Sequence, residues 1–404
     1  MIDSILKTDF VIAGGGPVGL MLAIGLSQEG FKVVLAERFK PLEVTDEPLS
    51  GVKNSFDGRV LALSYGSKLA LEKLNLWQLL SEHLTNIEHV HVSQKGYLGI
   101  TKLHAQEANV PALGFSIQSS DLGQVLWQKA SEQANITVLC PATLTQFTQD
   151  ESAVMAEIEV AGQLVHVEAS MIVGADGTDS KVRQVLGLDL QEKSYDAFGV
   201  IAQIETELHP EGWSYERFTE EGPVALLPMK GHFHKAVMVC PSQQIDEIKS
   251  LNDEAFIARF ADKMGERLGR FVSVSPRMAY PLKETYVEQM VSGRAILMGN
   301  ASHTQHPVAA QGLNLGIRDI DEFLAYFRAP KGRDNLNNMA FLNEYAAVRK
   351  QDHEKVMGLT DSLIQIFQHT SPIVGHLRGV GLMAMQAVPK LRKRFTRFAM
   401  GGNH

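Results

Sequence analysis

The chain has 404 residues, 45% of them hydrophobic and 21% charged, with a formal net charge of −8. That length and apolar content can bury a large core, in two or three domains or one elaborated domain, and they argue against disorder. No low-complexity tract or fixed-period repeat occurs, so a solenoid is excluded too.

Cys140 and Cys240 lie far apart with no His or Cys at ligand spacing, leaving a disulfide framework and a metal site unsupported. The opening MIDSILKTDF lacks the basic region and apolar run of a signal peptide, and no apolar run approaches about 20 residues. A cytoplasmic location is expected, peripheral to the inner face of the membrane if the tail docks there. The charge is uneven. Arg378, Lys390, Arg392, Lys393, Arg394 and Arg397 follow the last acidic residue, Asp361, so the tail carries +6 and the rest −14. Such asymmetry suits an anionic partner, and a solvated basic helix is the plain alternative.

The first elements are an apolar run at Asp9–Ala13, a glycine cluster, a helical pattern over Val18–Glu29 and a second apolar run at Lys32–Ala36. Together they read as a βαβ unit. Helical spacing returns over Ser67–Leu80 and Asp121–Gln133, followed by strands at Ile136–Leu139, Ala153–Val160 and Leu164–Val167. Between Ser194 and Leu282 the pattern turns strand-rich, at Ala197–Glu205, Trp213–Phe218, Val224–Leu227 and Ala236–Val239, before a helix at Asp253–Met264. The strand Arg294–Met298 returns to the first type, and helical patterns fill Gly312–Phe327, Met339–Phe367 and the tail.

The expected class is α/β (α+β): a dinucleotide-binding fold with an inserted strand-rich substrate domain and a helical C-terminal tail. The expected division gives residues 1–190 and 283–345 to the dinucleotide-binding domain, 75–118 and 191–282 to the substrate-domain sheet, and 346–404 to the basic helical region.

Gly14-Gly15-Gly16-Pro17-Val18-Gly19 fits G-x-G-x-x-G between a strand and a helix, the context a dinucleotide site requires. Gly14 permits the tight turn, Gly16 lets a pyrophosphate approach the backbone, and Gly19 lets helix pack on strand. Glu37, ending the second strand, can accept hydrogen bonds from a ribose. A second match, Gly379-Val380-Gly381-Leu382-Met383-Ala384, follows no strand and is read as chance. The turn alone does not separate FAD from NAD.

Two further segments follow apolar strands: Val173-Gly174-Ala175-Asp176-Gly177-Thr178-Asp179-Ser180 and Gly299-Asn300-Ala301-Ser302-His303. With the glycine turn they give a three-motif order that resembles the single-component flavin aromatic hydroxylases, the p-hydroxybenzoate-hydroxylase-like family, from about Thr8 to Tyr345. Three more stretches are most similar to the ubiquinone-biosynthesis hydroxylases, in particular those acting on 2-polyprenyl-6-methoxyphenol. They are Phe56-Asp57-Gly58-Arg59, Tyr215-Glu216-Arg217-Phe218-Thr219 running on to Gly222–Met229, and Gln311–Asp319.

The resemblance implies FAD, with Glu37 on the adenosine ribose and Arg38 and Arg59 near the diphosphate, which an Arg fork suits. It places Gly299 and Asn300 on the ribityl chain, backbone at Gly312, Leu313 and Asn314 against the isoalloxazine, and Asp176 on the nicotinamide and flavin side. Pro307, through its carbonyl, is the implied substrate contact. His303 and His306 share that loop, and His303 is read as structuring it in preference to carrying a proton.

Two positions depart from the family pattern: Asn300 stands for an Asp, keeping an acceptor but losing charge, and Ala310 stands for a Gly. Ser119 occupies a place where an Arg or Gln is usual, and nearby Gln124 is a weak candidate to replace it. The implied activity is NAD(P)H- and O2-dependent hydroxylation of a prenylated methoxyphenol in ubiquinone biosynthesis, through a flavin hydroperoxide.

The alternatives are a flavin oxidase, reductase or halogenase on another aromatic substrate, or a non-catalytic lipid-binding flavoprotein. Trp77, Trp127 and Trp213 never form the Trp-x-Trp-x-Ile segment of a halogenase. The expected partners are the phenolic substrate with its prenyl tail, O2, and a membrane or biosynthetic complex contacted by the tail, with no nucleic acid.

Overall fold

The computed structural model describes residues 5–40, 59–305, 311–328, 332–336, 340–368 and 371–401. Leu6–Ala13 lies at the centre of an eight-stranded sheet, parallel to Val33–Ala36 on one side and Gln163–Gly174 on the other. Ile136–Leu139 and Ala295–Leu297 extend the parallel array outward. These strands read as short unbroken apolar runs because both faces of the sheet are covered. One face carries the helices Pro17–Gln28 and Gly312–Arg328. There Phe10, Phe31, Phe323 and Phe327 pack edge to face with centroids 5.1–6.3 Å apart. The other face is covered by the meander Ala142–Gln149 and Val154–Val160 with the start of Gln163–Gly174.

Several expected elements differ in extent; Ala197–Glu205 and Ala236–Val239, for example, lie within the longer strands Gln191–Thr206 and Phe233–Pro241. The helical pattern over Ser67–Leu80 folds as two helices, Tyr65–Lys73 and Trp77–Leu80, because Asn75 between them adopts φ 54° and breaks the ladder. The run Leu164–Val167 is part of the 12-residue strand Gln163–Gly174. Its earlier part alternates in the antiparallel meander and its last four residues, Met171–Gly174, are all buried in the parallel sheet, so one strand carries two patterns.

A second sheet of nine strands runs from His303–Thr304 through Met278–Tyr286, Gln191–Thr206, Phe233–Pro241, Gly222–Pro228, Trp213–Thr219 and His89–Gln94 to Ile100–His104. Phe271–Val274 pairs on Gln191–Thr206. The helix Asp253–Met264, capped where Asn252 Oδ1 accepts from Ala255 N at 2.8 Å, buries Phe256, Phe260 and Met264 on the outer face. Val60–Ser64, Gly114–Gln118 and Thr85–Ile87 form a separate three-stranded sheet.

The C-terminal region is three helices, Phe341–Gln368, Pro372–Ala387 and Pro389–Ala399. The second glycine match lies inside Pro372–Ala387, where its first glycine has a packing role. A Cβ at Gly379 would sit 2.1 Å from Leu98 O, and one at Gly375 would sit 2.3 Å from the Tyr97 ring. The bare backbone lets the helix lie against the edge hairpin. Thr101 Oγ1 donates to Leu382 O at 2.8 Å, and Gln386 Oε1 accepts from Lys102 N at 2.7 Å. Arg392 binds Glu107 with two bonds of 2.7 and 3.1 Å. No helix among the described residues is long and apolar enough to cross a membrane.

Candidate active site

The strand ending at Ala13 enters the glycine turn at Gly14, whose φ of 100° suits glycine, and a Cβ there would lie 2.3 Å from Ala175 O. A Cβ on Gly19 would approach Gly14 O to 1.9 Å, so the third glycine keeps the helix close to the turn. Gly16 caps Pro17–Gln28, and Pro17 stands where its missing N–H costs nothing. No side chain caps this helix start, and Gly16, Pro17 and Val18 line the cavity there, which suits an anion at the helix N-terminus.

Glu37 closes the turn from the neighbouring strand, its Oε2 accepting from Gly15 N and its Oε1 from Phe39 N at 2.8 Å. Arg38 is exposed at the cavity rim, and Arg59 is half-buried with its guanidinium 5.5 Å above the Tyr280 ring. Asp176 Oδ2 accepts from Lys181 N at 2.6 Å and Val182 N at 3.2 Å, holding the start of Lys181–Val185. Its Oδ1 is buried without a partner among the described residues, and burial raises the carboxyl above its ordinary range.

Gly299, at φ 56°, and the exposed Asn300 follow the strand Ala295–Leu297 and line the same cavity. Gly312 and Leu313 reach it from the start of the helix Gly312–Arg328. The side chain of Asn314 is committed within the protein: Oδ1 accepts from Ser64 N at 2.8 Å and Ser67 Oγ at 2.7 Å, and Nδ2 donates to Ala62 O. Only its backbone remains for a ligand. Gly19 stands behind the wall. Ser119 and Gln124 are not in the described lining, and Pro307, with His306 and Ala310, lies outside the described residues.

His303 does not line the cavity. It is buried with its ring 4.1 Å from His353, beside Asp319. Asp319 accepts from Arg349 Nε at 2.7 Å and lies 2.9 Å from His353 Nε2. Burial, before the neighbouring His353, pushes the His303 imidazole down to about 3, leaving it neutral, and the Arg349 guanidinium holds Asp319 well below the usual carboxylate range despite its burial. Although His303, Asp319 and His353 could ligate a cation, Arg349 already supplies the charge. This cluster ties the Gly299–His303 segment to two helices and was invisible to sequence reasoning, because its members are spread over the last third of the chain.

The cavity measures about 1480 Å3 and runs from the glycine turn, beneath the nine-stranded sheet, to the C-terminal helices. Typical ligand pockets hold roughly 300–1,000 Å3, so there is room for a dinucleotide and a second ligand. The donor set fits FAD: free N–H groups for a diphosphate, the Glu37 carboxylate for a ribose and an open acceptor at Asp176. Sequence reasoning missed Glu216 as a cavity residue. The signal was the alternation of Trp213–Thr219, which puts Ser214, Glu216 and Phe218 on the cavity face.

The FAD binding domain family matches residues 7–329. Ubiquinone hydroxylase UbiL of Rhodospirillum rubrum is 31% identical over 395 residues, covering 97% of this chain and 89% of that protein. The 3-demethoxyubiquinol 3-hydroxylase of Escherichia coli is 27% identical over 395 residues, covering 98% of each. The crystal structure of p-nitrophenol 4-monooxygenase PnpA from Pseudomonas putida DLL-E4 shares the fold, with a TM-score of 0.78 at 16% identity over 99% of this chain and 100% of that one. The chain therefore belongs to the FAD binding domain family and, within it, to the ubiquinone-biosynthesis FAD hydroxylases of the p-hydroxybenzoate-hydroxylase-like group.

Proposed function

We propose that this FAD-dependent monooxygenase hydroxylates a prenylated methoxyphenol on the route to ubiquinone, using NAD(P)H and O2. The observation that carries the reading is the continuity of one largely apolar cavity from the dinucleotide turn to the C-terminal helices, where Phe398 both lines it and is 40% exposed. A ring held near Gly312 and Leu313 would leave its prenyl tail running toward Leu382, Met385 and Phe398. Bound FAD supplies the redox and oxygen-transfer chemistry that side chains lack. The protein's part is to bind and orient. Gly14, Gly16 and Gly19 shape the diphosphate seat, with Arg38 and Arg59 beside it. Glu37 takes the ribose, Gly299 and Asn300 the ribityl chain, and Asp176 the nicotinamide and flavin side. Gly312, Leu313 and the Asn314 backbone back the ring, while the apolar roof excludes water.

The test supplies isotopically labelled O2, NAD(P)H and a short-chain prenyl methoxyphenol to the holoenzyme. One labelled oxygen should appear in the product by mass spectrometry. Product oxygen drawn from water, or hydrogen peroxide as the only oxygen product, would reject monooxygenation.

The tail fits docking on an anionic membrane. Along Pro372–Ala387 the buried side carries Gly375, Gly379 and Leu382, and the opposite side exposes Ile373 (73%), Leu377 (63%) and Val380 (54%). The adjoining helix exposes Lys390, Lys393, Arg394 and Arg397. An apolar stripe beside basic residues suits a lipid surface better than a nucleic acid, which has no use for the stripe.

A further inference from the structure

One row of side chains crosses the cavity face of the nine-stranded sheet. The ladder registers place Thr101, Val92, Glu216, Ala225, Val237 and Ile201 side by side, and all of them line the cavity. Glu216 is the one charged residue in that row, and its carboxyl makes no hydrogen bond or ion pair among the described residues. Along its own strand it is flanked on the cavity face by Ser214 and Phe218. The C-terminal helices present Leu382, Met385 and Phe395 to the same cavity.

No titratable group faces it from these neighbours. His91, Tyr215, Arg217 and Lys102 alternate onto the opposite face of the sheet. Lys235 shares the cavity face two strands away, with its Nζ donating to Val60 O at 2.6 Å, and Arg59 lies over Tyr280. An unpaired carboxyl in an apolar wall costs free energy without a structural return, which points to a function.

We propose that Glu216 is the acid–base group of the substrate chamber. It takes the proton of the substrate's phenolic hydroxyl: the phenol O–H bond breaks, its electron pair stays on oxygen, and the proton bonds to a Glu216 carboxylate oxygen. The proposal rests on the reading that a phenol occupies this cavity. A phenolate is a more electron-rich ring than a phenol and accepts an electrophilic oxygen more readily. Desolvation pushes the Glu216 carboxyl up to about 7, closer to a phenol's ordinary value of about 10 and near the operating pH, where proton transfer by a side chain is most effective.

The test compares wild type, Glu216→Gln and Glu216→Asp as holoenzymes with the short-chain prenyl methoxyphenol, from pH 5 to pH 10. FAD content is measured alongside NAD(P)H consumption and product. Wild-type product formation should rise through about pH 7 as the carboxyl ionises. Glu216→Gln should keep its FAD, lose that rise, form product about a hundredfold more slowly at neutral pH, and recover near pH 10, where the phenol ionises unaided. Glu216→Asp should retain a pH step.

Thermal melting gives a readout independent of turnover. The folded-state pKa is raised, so ionising Glu216 disfavours the fold: wild type should lose stability as pH rises from about 4.5 through about 7, and Glu216→Gln should not show that part of the loss. If wild type hydroxylates the phenol and Glu216→Gln matches its rate at every pH, the assignment of Glu216 falls while the substrate reading stands. If wild type leaves the phenol unchanged, the substrate reading falls and takes the proposal with it.

Discussion

Glu37 illustrates how one side chain serves both fold and site. Its carboxylate holds the glycine turn through Gly15 N and lines the cavity where a ribose is proposed. Glu37→Ala removes the acceptor and frees the turn, so it should weaken FAD binding by roughly 1–3 kcal/mol without unfolding the chain. Titrating apoprotein with FAD checks this, and an unchanged affinity would reject the ribose assignment. The glycines, Glu37 and Asp176 were legible because motif spacing fixes backbone positions next to one another. Glu216 and the Asp319 cluster were not, since an alternating strand does not say which face meets a cavity, and a buried ion pair is spelled by distant residues.

Among the elements, the helix Gly312–Arg328 does most to join site and scaffold. Its start presents Gly312 and Leu313 to the cavity, Asn314 bridges to Ser64 and Ser67, and Asp319 binds Arg349 and His353 of the helix Phe341–Gln368. Asp319 and Arg349 are 0% and 4% exposed. Arg349→Met would strand a buried carboxylate, a loss of about 3–5 kcal/mol. A lowered melting temperature with earlier release of FAD is expected, and adding Asp319→Asn should recover part of the loss. A melting point equal to wild type would show that the pair contributes nothing. The helical periods of these elements were readable in sequence. Their partnership was not, because periodicity marks an apolar stripe and does not identify which polar residues meet across it.

At the scale of the whole molecule, the tail closes the far end of the cavity while offering an apolar and basic outer face. Four exposed cations, each contributing about 1 kcal/mol near an anionic leaflet, together with the apolar stripe would hold the protein reversibly. Arg392 does not belong with them, since its bonds to Glu107 make it part of the packing. Flotation with anionic liposomes checks this: the protein should float at low salt, less so at high salt, and Lys390, Lys393, Arg394 and Arg397 all changed to Glu should release it. Equal recovery of both proteins would leave the tail as packing alone.

The sequence by itself determined the dinucleotide turn, the parallel strands around it, the insertion of a strand-rich segment and the family, because each is written in contiguous motifs or local periods. Tertiary structure decided the rest. It set Glu216 in an apolar roof, matched Asp319 with Arg349 and His303 with His353, and gave Gly379 of the match read as chance, together with Gly375 one turn earlier, the role of seating a helix against the edge hairpin. These outcomes depend on which surfaces meet, because burial and the charges placed beside a carboxyl or imidazole together set the charge it carries: burial alone raises Glu216, while Arg349 overrides burial at Asp319.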